Sequence, residues 1–180
     1  MKFTPVDIKG LVLIEPAILT DNRGYFFESW HEKKFAAGGL DLNFVQDNES
    51  CSAKGVLRGF HFQIPPFEQG KLVRVVKGAA LDIVVDIRKN SPDYGKHFKV
   101  VLDDKKKNML WIPPGFAHGF LSMEDNTVFV YKCTNFYDKP SEKGLLWNDA
   151  ELNIDWGISN PLVSDKDMEL STFKNLPEYF

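Results

Sequence analysis

The sequence predicts an all-β fold: an antiparallel barrel or jelly roll with short helices at its periphery, forming a single domain over residues 1–180. Runs of β-branched and aromatic residues alternate with Gly, Pro, Asn and Asp along the whole chain, the pattern of a sandwich or barrel. Aromatic residues, which favour strands, make up 13% of the chain. A length of 180 residues fits one domain, and no repeat or linker divides it.

Eight segments are predicted strands: residues 11–14, 25–28, 56–62, 71–76, 80–87, 97–102, 108–112 and 127–133. A first short helix is predicted over residues 31–37, with Gly38 and Gly39 as its C-cap. A second is predicted after Ser164, because Ser164 and Asp167 have the spacing of a capping box. An antiparallel barrel of this size can hold one small ligand inside.

Charge and hydropathy argue against two kinds of partner. Twenty-two Lys and Arg against 25 Asp and Glu give a net charge of −3, whereas nonspecific nucleic-acid binders usually carry a basic footprint. No apolar run approaches the ~20 residues of a membrane span, and the first residues lack the features of a signal peptide. Cys51 and Cys133 form no CxxC or zinc pattern, which favours reduced thiols and a cytoplasmic location.

Two of the four histidines have informative neighbours. His61 lies in a predicted strand, where simple alternation places Arg58 and Phe60 on the opposite face. His118 follows residues 113–117, which are expected to form a rigid Pro- and Gly-containing turn. These two segments are the first candidates for a functional site.

The two segments resemble the sequence elements of the cupin superfamily. Residues 113–118 match P-x-G-x-x-H, and His61 and Glu68 occupy the first and last positions of H-x-H-x(3,4)-E. Gln63 stands where a second metal-binding His would be, and a neutral amide poorly replaces the imidazole and carboxylate ligands of Zn, Fe or Ni. The resemblance therefore implies a cupin-type jelly roll without a metal ion.

Without a metal, other side chains must activate a substrate. Lys71 begins one predicted strand, and Tyr131 lies on the same face of another strand as Phe129 and Cys133. A His, a Tyr and a Lys in one barrel supply a base, an acid and a partner for an oxyanion. Taken alone, a Tyr at position 131 is more often a core aromatic residue with a bonded hydroxyl, and a Lys at position 71 is usually a surface residue.

The order and spacing of motifs along nearly the whole chain resemble the dTDP-4-dehydrorhamnose 3,5-epimerase family. The matching pieces are RGYFFE at 23–28, QDN at 46–48, LRGFHFQ at 57–63, Lys71, PPGFAHGF at 113–120, Tyr131, Tyr137, Glu142, WND at 147–149 and LVSDKD at 162–167. The resemblance implies an isomerase, free of metal and cofactor, that inverts C3 and C5 of dTDP-4-dehydro-6-deoxy-D-glucose. Its product, dTDP-4-dehydro-L-rhamnose, would serve dTDP-L-rhamnose biosynthesis.

The resemblance also implies residue roles. His61 is expected to be the general base and Tyr131 the general acid. Asp167 is expected to orient and charge the histidine, and Lys71 to stabilise the enolate oxygen and bind substrate. The other positions that match substrate-binding residues are Arg23, Glu28, Gln46, Asn48, Arg58, His118, Tyr137, Glu142 and Lys166. Among these, Tyr137 matches the residue that stacks on thymine, and the arginines suit the diphosphate because a guanidinium binds phosphate oxygens bidentately.

The residues leave several alternatives open. A C3-only epimerase, or one for another nucleotide ketosugar, differs in pocket shape, which the sequence does not reveal. A noncatalytic sugar-binding cupin would not need His61, Lys71 and Tyr131 together, and a metal-dependent cupin oxygenase would require a His at position 63. Asp167 as a helix cap alone is a further alternative, as is an exposed pair of Arg23 with Glu28.

A homodimer is the expected assembly. The family resemblance implies an N-terminal strand shared with a second subunit. Residues 11–14 are also apolar enough to leave an aggregation-prone edge if they are unpaired. Besides a second copy, the expected partner is the dTDP-linked keto sugar.

Overall fold

The computed structural model describes all 180 residues and contains the predicted all-β fold. The strands are β1 Lys2–Pro5, β2 Val12–Glu15, β3 Leu19–Asp21, β4 Gly24–Phe26, β5 Gln46–Ser52, β6 Leu57–Gln63, β7 Lys71–Lys77, β8 Ala79–Asp86, β9 His97–Asp103, β10 Met109–Ile112, β11 Phe116–Ser122, β12 Thr127–Cys133 and β13 Glu142–Gly144. The helices are α1 Glu32–Ala37 and α2 Asp165–Met168, with 3₁₀ turns at Lys139–Ser141 and Phe173–Asn175. No helix is long enough and apolar enough to cross a membrane.

Two antiparallel sheets form the body of the protein. The six-stranded sheet has the order β1-β2-β10-β7-β12-β5, and the five-stranded sheet has the order β13-β6-β11-β8-β9. The remaining strands, β3 and β4, pair only with each other and form a separate hairpin. This arrangement of two packed antiparallel sheets is the jelly roll that the sequence predicts.

The main core lies between the two sheets. Val73 and Phe129 of the six-stranded sheet pack in one buried cluster with Val84 and Phe120 of the five-stranded sheet. A second cluster covers the outer face of the five-stranded sheet, where Phe60 contacts the C-terminal segment around Trp156. The five-stranded sheet is thus covered on both faces, so β8 and β11 are buried almost throughout.

All eight predicted strands and both predicted helices are present. The strand predicted at 127–133 coincides with β12, and the other seven overlap observed strands with ends displaced by at most two residues. The sequence does not predict β1, β3, β5, β11 and β13. Residues 11–14 do not form an unpaired edge, because β2 pairs with β1 on one side and β10 on the other, so this segment gives no support to a dimer.

A β-bulge in β6 determines which side chains reach the interior. His61 is paired with His118 and Arg58 with Phe120, so β6 holds one residue more than β11 between these pairs. Because of the extra residue, the side chains of Arg58 and His61 both line the same cavity. The sequence-based prediction that they lie on opposite faces of β6 is therefore wrong, since a bulge interrupts the alternation of a strand. Phe60 does point away, into the core.

Gly59 makes this bulge feasible. Its φ of +117° favours glycine, and a Cβ there would lie 2.6 Å from Gly119 Cα and 2.7 Å from the His118 carbonyl oxygen. A side chain at this position would therefore push β6 away from β11. Because His61 is two residues further along β6, its position depends on this close contact.

Gly59→Ala is expected to lower the free energy of unfolding by about 3 kcal/mol, from the left-handed backbone and the overpacking together. Chemical denaturation measures the loss. Gly157→Ala is the matched control, because Gly157 has a φ of +70° but a Cβ there would have no atom within 4 Å; its expected loss is about 1–2 kcal/mol. Equal losses in the two variants would contradict the contact-based explanation.

Candidate active site

A cavity of about 590 Å³ lies between the two sheets and the segment that carries α2. Its apolar lining comes from residues such as Phe120, Phe129 and Leu162. Its polar lining includes seven of the residues expected at the site: Arg58, His61, Lys71, His118, Tyr131, Lys166 and Asp167. The residues that line the cavity come from five strands (β5, β6, β7, β11 and β12) and from α2. The first and the last of these residues are more than a hundred positions apart in the sequence.

Asp167 holds His61 by a short hydrogen bond. The distance between His61 Nε2 and Asp167 Oδ1 is 2.7 Å, and the other carboxylate oxygen accepts a bond from the Gly59 amide at 3.1 Å. The α2 cap positions this carboxylate, because Ser164 Oγ accepts a bond from the Asp167 amide at 3.2 Å. Ser164 caps α2 as the sequence predicts, but the reciprocal bond of a capping box is missing, because the Asp167 side chain binds His61 and the Gly59 amide instead.

The charge of Asp167 follows from these contacts. Burial works against ionisation most strongly, but the hydrogen bond and charge of His61, with the Gly59 amide and Ser164, outweigh it and lower the pKa of the carboxyl. Asp167 is therefore an anion at neutral pH beside the Nε2 atom of His61. The Nδ1 atom of the same ring is left free to exchange a proton with a ligand.

His118 has a carboxylate partner of its own. It is the direct cross-strand neighbour of His61, and its Nε2 lies 2.7 Å from Asp82 Oδ2. Asp82 is completely buried on β8, behind the histidine. The cavity thus contains two histidine–carboxylate pairs side by side.

Tyr131 and Lys71 lie close together in the same cavity. Lys71 Nζ is 5.9 Å from the centre of the Tyr131 ring. Burial raises the pKa of the Tyr131 hydroxyl, so the hydroxyl keeps its proton at neutral pH. Burial also lowers the pKa of Lys71. A negative charge that develops nearby would stabilise the protonated, cationic form of Lys71 and raise this pKa again.

A second group of polar side chains lies beside this cavity. Glu142 Oε2 accepts hydrogen bonds from the Tyr137 hydroxyl at 2.9 Å and from Lys166 Nζ at 2.6 Å. Burial opposes ionisation of Glu142, but these two bonds outweigh it and lower the pKa of the carboxyl. Gln46 accepts a bond from the Tyr137 amide at 2.8 Å and donates one to Asn48 at 3.0 Å. A small adjoining pocket joins this group to His61, Lys71 and Tyr131.

The cupin metal motif is not assembled. Gln63 Nε2 donates to the carbonyl oxygens of Phe67 and Phe136 at 2.6 and 3.1 Å, and its Oε1 accepts from the Asp138 amide at 2.8 Å. Gln63 therefore fixes two loops. Glu68 is not among the residues that line the cavity, and no group of three His, Cys, Asp or Glu side chains has the arrangement of a metal site. The residues at these positions do not fit a metal ion.

Two expected binding residues lie outside the cavity of their own chain. Arg23 is on the β3–β4 hairpin, largely exposed, and its guanidinium pairs with Asp21 at 2.5 Å. Glu28 pairs with Lys34 of α1. The alternative of an Arg23–Glu28 pair is wrong, since each residue has a different partner. Every other expected residue lines one of the two adjoining pockets.

Sequence reasoning missed three polar residues of this region. Asp82 supports His118, Ser52 Oγ accepts a bond from Arg58 Nε at 3.1 Å, and Ser50 lines the cavity. An Asp within the apolar run of residues 80–87 was a usable signal, because a buried carboxylate needs a partner. The serines lie in β5, which has no apolar alternation to reveal a strand.

The fold and the site define the class of protein: a cupin-type jelly roll whose cavity holds acid–base side chains where metal-binding cupins hold ligands. The sequence model for dTDP-4-dehydrorhamnose 3,5-epimerase matches residues 5–175. The dTDP-4-dehydrorhamnose 3,5-epimerase of Shigella flexneri is 49% identical over 181 aligned positions, covering 100% of this chain and 99% of that protein. The chain belongs to the dTDP-4-dehydrorhamnose 3,5-epimerase family and is an isomerase.

Solved structures agree with this assignment. The crystal structure of dTDP-4-dehydrorhamnose 3,5-epimerase from Elizabethkingia anophelis is 43% identical, with a TM-score of 0.92 and 97% of each chain covered. The Legionella pneumophila dTDP-6-deoxy-D-glucose-3,5-epimerase, solved in complex with dTDP-4-keto-L-rhamnose, is 40% identical, with a TM-score of 0.93, covering 98% of this chain and 94% of that one. The cupin jelly-roll fold is therefore confirmed.

Asp167 is expected to make stability depend on pH. Its pKa is lower in the folded than in the unfolded protein, so the ionised group stabilises the fold above the unfolded value of about 3.9. This contribution is lost as pH falls through the folded-state pKa. Urea denaturation should show Asp167→Asn less stable than wild type at pH 5, with a smaller difference at pH 3.

The control for this measurement is Asp165→Asn, a change to an exposed carboxylate on the same helix. It should alter stability less at pH 5. A deficit of Asp167→Asn that is the same at pH 5 and pH 3 would contradict the assigned role of the carboxylate charge.

Proposed function

We propose that this enzyme inverts C3 and C5 of dTDP-4-dehydro-6-deoxy-D-glucose, giving dTDP-4-dehydro-L-rhamnose for dTDP-L-rhamnose biosynthesis. The observation that carries the proposal is the His61–Asp167 pair, which shares one cavity with Tyr131 and Lys71. Membership of the epimerase family supports the substrate, as does the keto-rhamnose nucleotide bound to the Legionella relative. A C3-only epimerase is not favoured by these relatives.

The chemistry needs a base, an acid and a stabilised oxyanion. C3 and C5 both flank the C4 ketone, so removal of either proton moves the C–H electron pair onto the C4 oxygen as an enolate. Return of a proton from the opposite face restores the ketone with inverted configuration, and the step consumes no redox equivalent. Positioned acid–base groups typically contribute ~10²–10⁴-fold to such a rate.

The side chains divide these tasks. His61 removes the proton through Nδ1, while Asp167 at Nε2 stabilises the imidazolium that results. Tyr131 retains its proton at neutral pH and supplies it to the opposite face. Lys71, with His118 beside it, stabilises the enolate oxygen, a contribution comparable to that of an oxyanion-hole donor at ~10²–10³-fold. No metal ion or cofactor is part of this proposal.

Substrate binding is proposed to use the remaining polar groups. Arg58, held by Ser52, binds the diphosphate. Tyr137 stacks on thymine at the adjoining pocket, where Glu142 orients its hydroxyl. Gln46, Asn48 and Lys166 complete this group of binding residues.

A homodimer is proposed from the exposed hairpin. Leu19, Tyr25 and Phe26 on β3 and β4 are 66%, 58% and 65% exposed, and such an apolar patch indicates an interaction surface. Arg23 lies on the same hairpin, outside its own cavity. A second copy that covers this hairpin would bring Arg23 to the diphosphate in the partner's cavity.

A cytoplasmic location is also proposed. Cys51 and Cys133 are free, and Cys51 is exposed. Exposed thiols persist in reducing compartments. The nucleotide-sugar substrate fits the same location.

The decisive experiment is turnover in deuterated water. Incubation with dTDP-4-dehydro-6-deoxyglucose is expected to place deuterium at both C3 and C5, measured by NMR and mass spectrometry, because each inversion replaces a carbon-bound proton by one from solvent. Deuterium at C3 alone would favour the C3-only epimerase. No incorporation would favour a noncatalytic sugar-binding cupin and would contradict the proposal.

Two variants separate the base from the acid. His61→Asn should abolish both epimerisation and exchange, because no enolate forms, with a loss of at least ~10²-fold. Tyr131→Phe should lose epimerised product yet retain exchange, because His61 can return a solvent-derived proton to the original face. Epimerisation by Tyr131→Phe at the wild-type rate would contradict the acid role.

The dimer is tested on the hairpin. Tyr25→Ser combined with Phe26→Ser should reduce the sedimentation mass from twice 20.6 kDa towards 20.6 kDa and lower activity. Met123→Ser, at an exposed apolar residue elsewhere, should leave the dimer intact. Arg23→Ala should keep the dimer mass while raising KM. A wild-type protein that sediments as one chain at micromolar concentration would contradict the proposal.

A further inference from the structure

The side chain of Gln63 binds the backbone on both sides of Tyr137. Its Nε2 donates to the carbonyl oxygen of Phe136 at 3.1 Å, and its Oε1 accepts a bond from the amide of Asp138 at 2.8 Å. Gln46 accepts a bond from the amide of Tyr137 itself, also at 2.8 Å. Three consecutive residues of this loop are therefore held by side-chain amides, and Gln63 holds the first and the third.

The ring of Tyr137 depends on this backbone for its position. Tyr137 is 52% exposed, which leaves much of the ring open to a base that stacks on it. At its outer end the hydroxyl donates a bond to Glu142. At its inner end the ring is attached to an exposed loop, and exposed loops are mobile unless specific bonds hold them.

Gln63 has no N–H group left for a ligand. A side-chain amide carries two N–H donors. One is directed to Phe136, and the other to the carbonyl oxygen of Phe67 at 2.6 Å. Gln63 borders the adjoining pocket but is only 4% exposed. Its influence on a ligand is therefore exerted through the loop that it holds.

We propose that Gln63 is a positioning residue for nucleotide binding, which holds Tyr137 where its ring stacks on thymine. This inference rests on the proposed function and extends it to a residue that does not contact the substrate. A ring that is already fixed loses little freedom when a base stacks on it, so the bonds of Gln63 increase affinity. The position that a metal-binding cupin fills with a second histidine would thus serve nucleotide binding in this protein.

The acid–base residues are held independently of Gln63. Residues 64–70 join Gln63 to Lys71, but Lys71 is paired with Ile112 on one side and with Cys133 on the other. The six-stranded sheet therefore keeps Lys71 in place when the bonds of Gln63 are removed. Substitution of Gln63 should for this reason affect KM much more than kcat.

The first test is binding of dTDP to Gln63→Met, measured by isothermal titration calorimetry. Methionine is similar in length to glutamine but forms none of the three hydrogen bonds. Affinity for dTDP should fall roughly tenfold, which is the factor that a base–aromatic stack contributes. KM for the keto sugar should rise to a similar degree, with kcat little changed.

A double-mutant cycle with Tyr137→Ala separates positioning from a merely structural role. Tyr137→Ala should itself weaken dTDP binding, because the stacking ring is removed. Adding Gln63→Met to Tyr137→Ala should weaken binding no further, since a positioning residue has no effect once the group it positions is absent. Two independent losses that multiply in the double variant would overturn the inference.

Thr127→Val is the matched control. Thr127 is completely buried, and its hydroxyl bonds to the carbonyl oxygens of Ala79 and Glu124, but it lines neither pocket. This variant also loses side-chain bonds to the backbone, so its melting temperature should fall while its affinity for dTDP stays at the wild-type value. If Gln63→Met does not fold, Gln63→Asn replaces it, because the shorter amide cannot reach both loops and should weaken dTDP binding in the same direction.

The outcomes separate this inference from the proposed function. Equal dTDP affinity of wild type and the folded Gln63 variant would overturn the role of Gln63 alone. A fall in kcat without a change in dTDP affinity would also overturn it, because the effect would then lie at the acid–base residues. Failure of the wild-type protein to bind dTDP would instead overturn the proposed function.

Discussion

The carboxylate of Asp167 connects the C-terminal segment to the barrel and holds the histidine of the site. One oxygen bonds to His61 and the other to the backbone of Gly59, across 106 and 108 positions of sequence. The same β6 backbone forms the bulge that brings Arg58 beside His61. The geometry of the site therefore depends on a single buried group: with Asp167 ionised, the bulge, the helix cap and the histidine ring are fixed together. Loss of that charge would affect the fold and the proposed chemistry at once.

The surrounding sheets explain why such a site is rigid. The five-stranded sheet is covered on both faces, by the inter-sheet core and by the cluster around Trp156. Polar side chains on its strands are consequently held by specific partners, as His118 is by Asp82. Preorganised groups lose little freedom when charge develops on a substrate, which is the condition for electrostatic stabilisation. The six-stranded sheet contributes Lys71 and Tyr131 from adjacent strands, so their spacing is set by backbone pairing.

The sequence predicted most of the long strands because apolar alternation reports one buried face. It failed for β5, whose inner face is polar since it lines the cavity, and for β11, where Pro and Gly precede a strand that begins at Phe116. Alternation also misplaced Arg58, because a bulge is a tertiary feature that period-two patterns do not contain. The neighbours of His61 and His118 in the sequence pointed to those two residues, and most of the other expected site residues came from family resemblance. Their grouping in one cavity required the fold.

The balance of charge in the cavity links binding to chemistry. His61 and His118 each have a carboxylate partner, and Lys166 pairs with Glu142. Arg58 and Lys71 form no ion pair with a carboxylate in a chain of net charge −3, and burial lowers the pKa of Lys71. These two basic side chains are on different strands, Arg58 next to Ser52 and Lys71 next to Tyr131. In the proposed function, Arg58 is available for the permanent charge of the diphosphate, and Lys71 for charge that appears only in the enolate. The buried site of Lys71 disfavours the positive charge of its amino group. An enolate oxygen beside Lys71 therefore stabilises that charge more than a neutral ketone does. Stabilisation that is greater for the enolate than for the bound ketone lowers the barrier to proton removal and accelerates the reaction.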